Sequence, residues 1–165
     1  MKDIKQEENP QDINDQIERD LIVNEKAIPP DLVVAMTIWG EARGESIEGK
    51  RAVAAVIYNR AAARSNRTNL PISVTVDQVC MAPFQFSCWD DRDGHFLQEK
   101  PDIDSSVWND CVLFAREIFA DSYCPFIIAT HYYADWISNQ PEWAKDMEYI
   151  CRIGKHLFYF DKNWR

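Results

Sequence analysis

Apolar residues recur at helical spacing in three stretches of the chain. Leu32, Ala35, Met36 and Trp39 fall at i, i+3, i+4 and i+7, which predicts a helix over residues 31–40 with Asp31 as its N-cap. Ala52, Val53, Val56, Ile57 and Arg60 form a second stripe, and Ser46 followed by Glu48 marks its start, so a helix is predicted over residues 46–64. Residues 52–58 are also an unbroken apolar run, so a buried strand is the rival reading. The alanines and the length of the pattern favour the helix. Val107, Cys111, Phe114, Ala115 and Ile118 predict a third helix over residues 104–119, capped by Asp104 and ended by Tyr123-Cys124-Pro125.

Between and after these stretches the period changes. Residues 126–133 and 150–160 are rich in β-branched and aromatic side chains and are expected to pair as strands. Residues 74–89 alternate imperfectly around Pro83, which predicts a short helix or strand and then an irregular segment. Residues 65–71 read as a loop and 90–94 as a turn. Asp90-Asp91-Arg92-Asp93-Gly94 lacks the spacing to a terminal Glu that a calcium loop requires. Before Pro29-Pro30, Ile13, Ile17, Leu21 and Ile22 describe either a mobile acidic arm or a docked amphipathic helix. The expected organisation is a polar acidic arm over residues 1–30 and one domain over 31–165. Its predicted class is α+β, mainly helical, with short β-strands.

Composition narrows the function classes. The 165 residues suit one domain with a real core, and 46% are hydrophobic, including six Trp, six Tyr and eight Phe. Most of these rings belong in a core, but Tyr and Trp also offer flat surfaces on which the apolar faces of sugars can stack. The net charge is −9, with eight acidic and four basic side chains in residues 1–30, so no basic footprint for nucleic acid is present. No apolar run approaches the ~18 residues of a membrane span. Cys80, Cys88, Cys111, Cys124 and Cys151 are odd in number and form no C-x-x-C pair, which predicts free thiols, with a Cys80–Cys88 bridge as the alternative. Together with His95, His131 and His156 they lack the short paired spacings of a zinc site, so neither a metal nor a cofactor is expected.

The stretch Trp39-Gly40-Glu41-Ala42-Arg43-Gly44-Glu45, between the first two helical patterns, carries the candidate chemistry. Carboxylates are costly to bury unless paired or functional. A partly apolar setting keeps a carboxyl protonated, as a general acid requires. The competing reading is a solvated turn with ordinary surface charges or an ion-pair network.

Followed by Gly49 and by Ala52-Val53-Ala54-Ala55-Val56-Ile57-Tyr58-Asn59-Arg60, this block resembles the opening signature of the cell-wall hydrolases related to spore cortex-lytic enzymes. Gln85-Phe86-Ser87-Cys88-Trp89 resembles that family's second block. Ala129-Thr130-His131-Tyr132-Tyr133, Pro141-Glu142-Trp143-Ala144 and Ile153-Gly154-Lys155-His156-Leu157-Phe158-Tyr159 resemble its C-terminal blocks, in the family's order. The resemblance covers about residues 31–160. It implies a lysozyme/lytic-transglycosylase-like single domain, with residues 31–165 as the catalytic domain and Glu41 as its general acid and base. Glu45 is the secondary acidic candidate, with an ion pair or cap as its structural alternative and Arg43 as candidate partner. Gln85, Phe86 and Trp89 are the implied groove residues, and Tyr132 and Tyr133 are candidate substrate-binding residues, of which one hydroxyl is expected to point into the cleft. His131, Lys155 and His156 read as structural.

The implied reaction is cleavage of the MurNAc–GlcNAc bond in the glycan strands of peptidoglycan. A glycosidic bond breaks when a proton reaches the leaving oxygen as an oxocarbenium-like centre forms. In lytic transglycosylases the same carboxylate then acts as base while the muramoyl 6-hydroxyl attacks the anomeric carbon, so no metal, cofactor or second carboxylate is needed. The alternatives are an N-acetylmuramoyl-L-alanine amidase, which requires zinc ligands, and a non-catalytic wall-binding or virion structural module. The opening residues Met1 to Asn9 lack the apolar core of a secretory signal. The expected setting is therefore a bacteriophage or prophage endolysin or virion-associated enzyme. It would be made in the cytoplasm and act as a monomer on vegetative peptidoglycan, after release or as part of a particle.

Overall fold

A computed structural model describes residues 28–89 and 101–164. The helical pattern of residues 12–26, the turn at 90–94 and His95 lie outside them.

The first apolar stripe forms α1 (Pro30–Ala42). It begins one residue earlier than predicted, because Pro30 suits the first helical position, where its missing N–H is not needed. Pro29, not Asp31, is the N-cap. Asp31 lies in the first turn, its Oδ1 3.0 Å from the Leu32 N–H. The expected boundary at residues 30/31 therefore falls inside a helix, and Ile28 already packs on the core. Gly40 does not stop α1. A Cβ there would lie 2.4 Å from the Cβ of Cys88, so this glycine lets another segment press against the helix.

The second stripe forms α2 (Ile47–Thr68), capped as expected by Ser46, whose hydroxyl accepts the Gly49 N–H at 3.2 Å. Residues 52–57 are buried on every side of this helix, which accounts for the unbroken apolar run without a strand. Residues 72–80 form α3 (Ile72–Cys80), followed by an irregular loop and a 3-10 turn at Ser87–Trp89. The third predicted helix is α4 (Ser106–Glu117), shorter at both ends. Its cap is Ser105 rather than Asp104, with the Trp108 N–H donating to the serine hydroxyl at 3.2 Å.

Val34, Ile38, Val53, Ile57, Val76, Trp108 and Phe114 join the four helices in one cluster. Full burial of such side chains contributes about 1.5–3 kcal/mol each. A second cluster, Ala52, Val56, Ala129, Ile153 and Phe158, joins α2 to a small sheet. The sheet contains β1 (His131–Ala134), β2 (Glu148–Ile153) and β3 (His156–Phe160), antiparallel in the order β1-β3-β2. The strand expected over 126–133 is confined to its end. Upstream, side chains take the carbonyls: Asn59 Nδ2 donates to Ile127 and Ala129 at 2.9 Å each, and Arg60 Nε donates to Thr130. Residues 150–160 fold back on themselves at Gly154, which has φ +55°. All five cysteines are free, so the Cys80–Cys88 bridge is not formed. Among the described residues no helix is long and apolar enough to cross a membrane.

Candidate active site

Three elements meet at Glu41. It occupies the last turn of α1, half-buried, where Gly40 admits the 3-10 turn alongside. From that turn, the Ser87 hydroxyl and the Cys88 backbone N–H both donate to Glu41 Oε1 at 3.1 Å. From β1, the Tyr132 hydroxyl donates to Oε2 at 2.8 Å. The 3-10 turn is clamped in turn by Trp89, whose indole N–H reaches Thr37 Oγ1 at 2.7 Å, one helical turn before Glu41. Thr37 itself donates to the Val33 carbonyl at 2.7 Å.

Tyr132 and Cys88, which both touch Glu41, are held neutral. Burial first, and then the Glu41 carboxylate, raise the Tyr132 phenol well above its ordinary range, so it remains a donor. The same two causes push the Cys88 thiol upward, which removes it as a nucleophile at neutral pH. Arg60 is buried below the site, donating to the Thr130 carbonyl and, at 3.1 Å, to Gln85 Oε1. Its guanidinium lies 5.0 Å over the Phe86 ring.

Glu45 has a different task. Its Oε2 accepts the Lys155 N–H at 3.1 Å, and a Cβ on Gly154 would come within 1.9 Å of that oxygen. Glu45 thus fastens the α1–α2 junction to the β2–β3 turn. Arg43 lies 4.7 Å over the Trp39 ring and donates to the Gly40 carbonyl at 3.3 Å.

The family of cell wall hydrolases matches residues 44–159. This chain belongs to the cell wall hydrolase family. It is also 32% identical, over 129 residues, to the spore cortex-lytic enzyme of Bacillus subtilis strain 168, covering 76% of this chain and 36% of that protein. The chain therefore spans about a third of the length of that relative. Among solved structures, it resembles the catalytic domain of the germination-specific lytic transglycosylase SleB from Bacillus anthracis, with a TM-score of 0.55 and 26% identity over 84% of this chain and 99% of that one. The catalytic domain of Bacillus cereus SleB gives a TM-score of 0.54 and 28% identity over 83% and 94% of the two chains. The mainly helical α+β fold with its small sheet is thus the fold of these SleB catalytic domains.

The family match begins at Gly44, three residues past Glu41. The implied groove residues divide on inspection. Tyr132 reaches Glu41. Tyr133 points to the opposite face of the sheet, as strand alternation requires, where it stacks on Tyr159 at 5.6 Å. Phe86 is only 2% exposed and belongs to the core, so it supports the site from beneath and cannot stack on a sugar. Gln85 is bound by Arg60, and Trp89 by Thr37. His131 sits against Trp143 and Trp164, with Nδ1 3.0 Å from Thr130 Oγ1. Burial, and then Arg60, lower its pKa to about 4. Sequence reasoning gave no role to Ser87, Thr37 or the backbone N–H of Cys88. A backbone donor has no side-chain signature, and the block that contained Ser87 was read through its aromatic residues.

Proposed function

We propose that this domain cleaves the MurNAc–GlcNAc bond of peptidoglycan as a lytic transglycosylase, with Glu41 as its general acid and then its base. The observation that carries the reading is the three-point hold on the Glu41 carboxyl by Ser87, the Cys88 N–H and Tyr132. A group that must hand over a proton and recover one needs a fixed orientation and donors that stabilise its ionised state between the two transfers. In the first step the Glu41 proton passes to the glycosidic oxygen and the bond from the anomeric carbon to that oxygen breaks. In the second, the Glu41 carboxylate takes the proton of the muramoyl 6-hydroxyl as its oxygen bonds to the anomeric carbon. No water is consumed, and Glu41 ends protonated as it began.

Mass spectrometry of digested peptidoglycan tests this directly. Anhydro-muramoyl ends are the expected product. Reducing ends would instead make the domain a hydrolase, and free stem peptides would make it an amidase. The steps use only the chain's own carboxyl, so exhaustive EDTA treatment should leave the rate unchanged. A loss that zinc restores would also move the assignment to the amidase class.

A further inference from the structure

We infer that Trp136 forms a glycan-stacking subsite beside Glu41, an inference that rests on the function proposed above. Trp136 is the second residue past the end of β1 and is 67% exposed, although a tryptophan has a large apolar surface to hide. Two chains of contacts lead away from it, one to Glu41 and one to the turn that receives Glu45. Its ring lies 6.4 Å from that of His156, which is edge-on to Tyr132 at 5.1 Å, and the Tyr132 hydroxyl holds Glu41 at 2.8 Å. Its neighbour Asp135 pairs with Arg152, which donates to the Gly154 carbonyl at 3.1 Å, and the same turn receives the Glu45 carboxylate at the Lys155 N–H.

The segment that bears Trp136 is tightly held. The Asp135 N–H donates to the Lys155 carbonyl at 2.8 Å, and the Ile137 N–H to the Ala134 carbonyl at 3.1 Å. A large ring with only two side-chain torsions, borne on a hydrogen-bonded turn, suits recognition of a flat apolar sugar face, since little conformational freedom is lost on binding. The aromatic side chains first implied for the groove leave this task unfilled. Phe86 is in the core and Tyr133 is on the far face of the sheet. Trp136 is an exposed ring beside His156, on the Tyr132 face of the sheet, and its ligand is a sugar of the glycan strand flanking the bond at Glu41.

The test compares wild type with Trp136→Ala and Trp136→Tyr, using glycan strands stripped of their stem peptides. Binding is measured by co-sedimentation in the Glu41→Gln background, so that turnover does not interfere, and kinetics on whole peptidoglycan in the Glu41 background. Trp136→Ala should weaken binding and raise KM by about 5–10-fold with kcat within about twofold, while Trp136→Tyr recovers most of the loss. Its melting temperature should match wild type, because the ring is exposed. Equal sedimentation of the Ala variant and the parent, or absence of glycan binding by the parent itself, overturns the subsite. Binding that depends on Trp136 in a protein that yields no anhydro-muramoyl ends would leave the subsite standing and overturn the transglycosylase reading alone.

Discussion

Glu41 and Glu45 are four residues apart, yet their carboxylates have different hydrogen-bond partners, and conservative substitutions should separate them. Glu41→Gln keeps the shape and some of the hydrogen bonds but cannot cycle a proton, and positioned acid–base catalysis is typically worth about 10²–10⁴-fold. That variant should fold, melt near wild type and lose nearly all cleavage in a turbidity assay. Glu45→Gln retains an oxygen for the Lys155 N–H and should keep clearly more activity; the reverse ranking would transfer the catalytic role to Glu45. Tyr132→Phe deletes the 2.8 Å bond to Glu41 without changing the packing of the ring. A hydrogen bond to a charged group contributes about 1.5–3 kcal/mol, so kcat should fall roughly tenfold or more; an unchanged kcat would show that this donor is dispensable. Glu41 stood out in the sequence as a candidate because its block resembles a family signature. Its donors were not, since one is a backbone N–H and another, Tyr132, could be told from Tyr133 only by the register of β1. Trp136 escaped notice for a related reason: a lone aromatic in a polar stretch has no period, and its meaning depends on the hairpin folded beside it.

The meeting of α1 with the 3-10 turn depends on one missing side chain. Alanine in place of a helical glycine ordinarily stabilises by about 1 kcal/mol. At Gly40 the sign should invert, because the new Cβ would lie 2.4 Å from the Cβ of Cys88. The turn would have to move outward, taking with it both donors to Glu41 Oε1. Gly40→Ala should therefore lower the melting temperature and the activity together, and adding Cys88→Gly, which removes the obstructing atom, should restore part of both. A stabilised and active Gly40→Ala would contradict this account of the junction. Gly40 also shows where pattern reading stops. A glycine near the end of an apolar stripe predicts a helix terminus, and only the packed turn reveals that it marks close approach inside the helix. The three long stripes made their helices legible, whereas the short α3 left helix and strand open. Ends were displaced by a residue or more, since Pro29, Ser105 and Asn69 compete with equally plausible neighbours for the capping positions. The shortened first strand was not legible, because the side chains of Asn59 and Arg60 take the carbonyls that a longer ladder would have used.

At the scale of the molecule, the sheet has two unlike faces, and the pH dependence of folding should report on both. One face, with Tyr132, His156 and Phe158, turns toward the helices and the site; the other, with His131, Tyr133 and Tyr159, is covered by Trp143. Burial is the leading cause that lowers the pKa of His156 on the first face and that of His131, to about 4, on the second. An unfolded histidine titrates near 6.5, so between that value and about 4 the unfolded chain binds protons that folded His131 refuses. Stability must then rise with pH across this window and be lost as pH falls through it. Below about 4 both states carry the proton, and His131 adds no further slope. Carboxylates titrate in part of the same range, so the readout is a difference between proteins rather than one curve. His131→Phe cannot take up a proton and keeps an aromatic ring between Trp143 and Trp164. Its melting temperature should fall less than that of wild type between pH 6.5 and about 4. Parallel curves for the two proteins would mean that His131 is protonated in the folded state as readily as in the unfolded one, and that its aromatic cage does not exclude the charge.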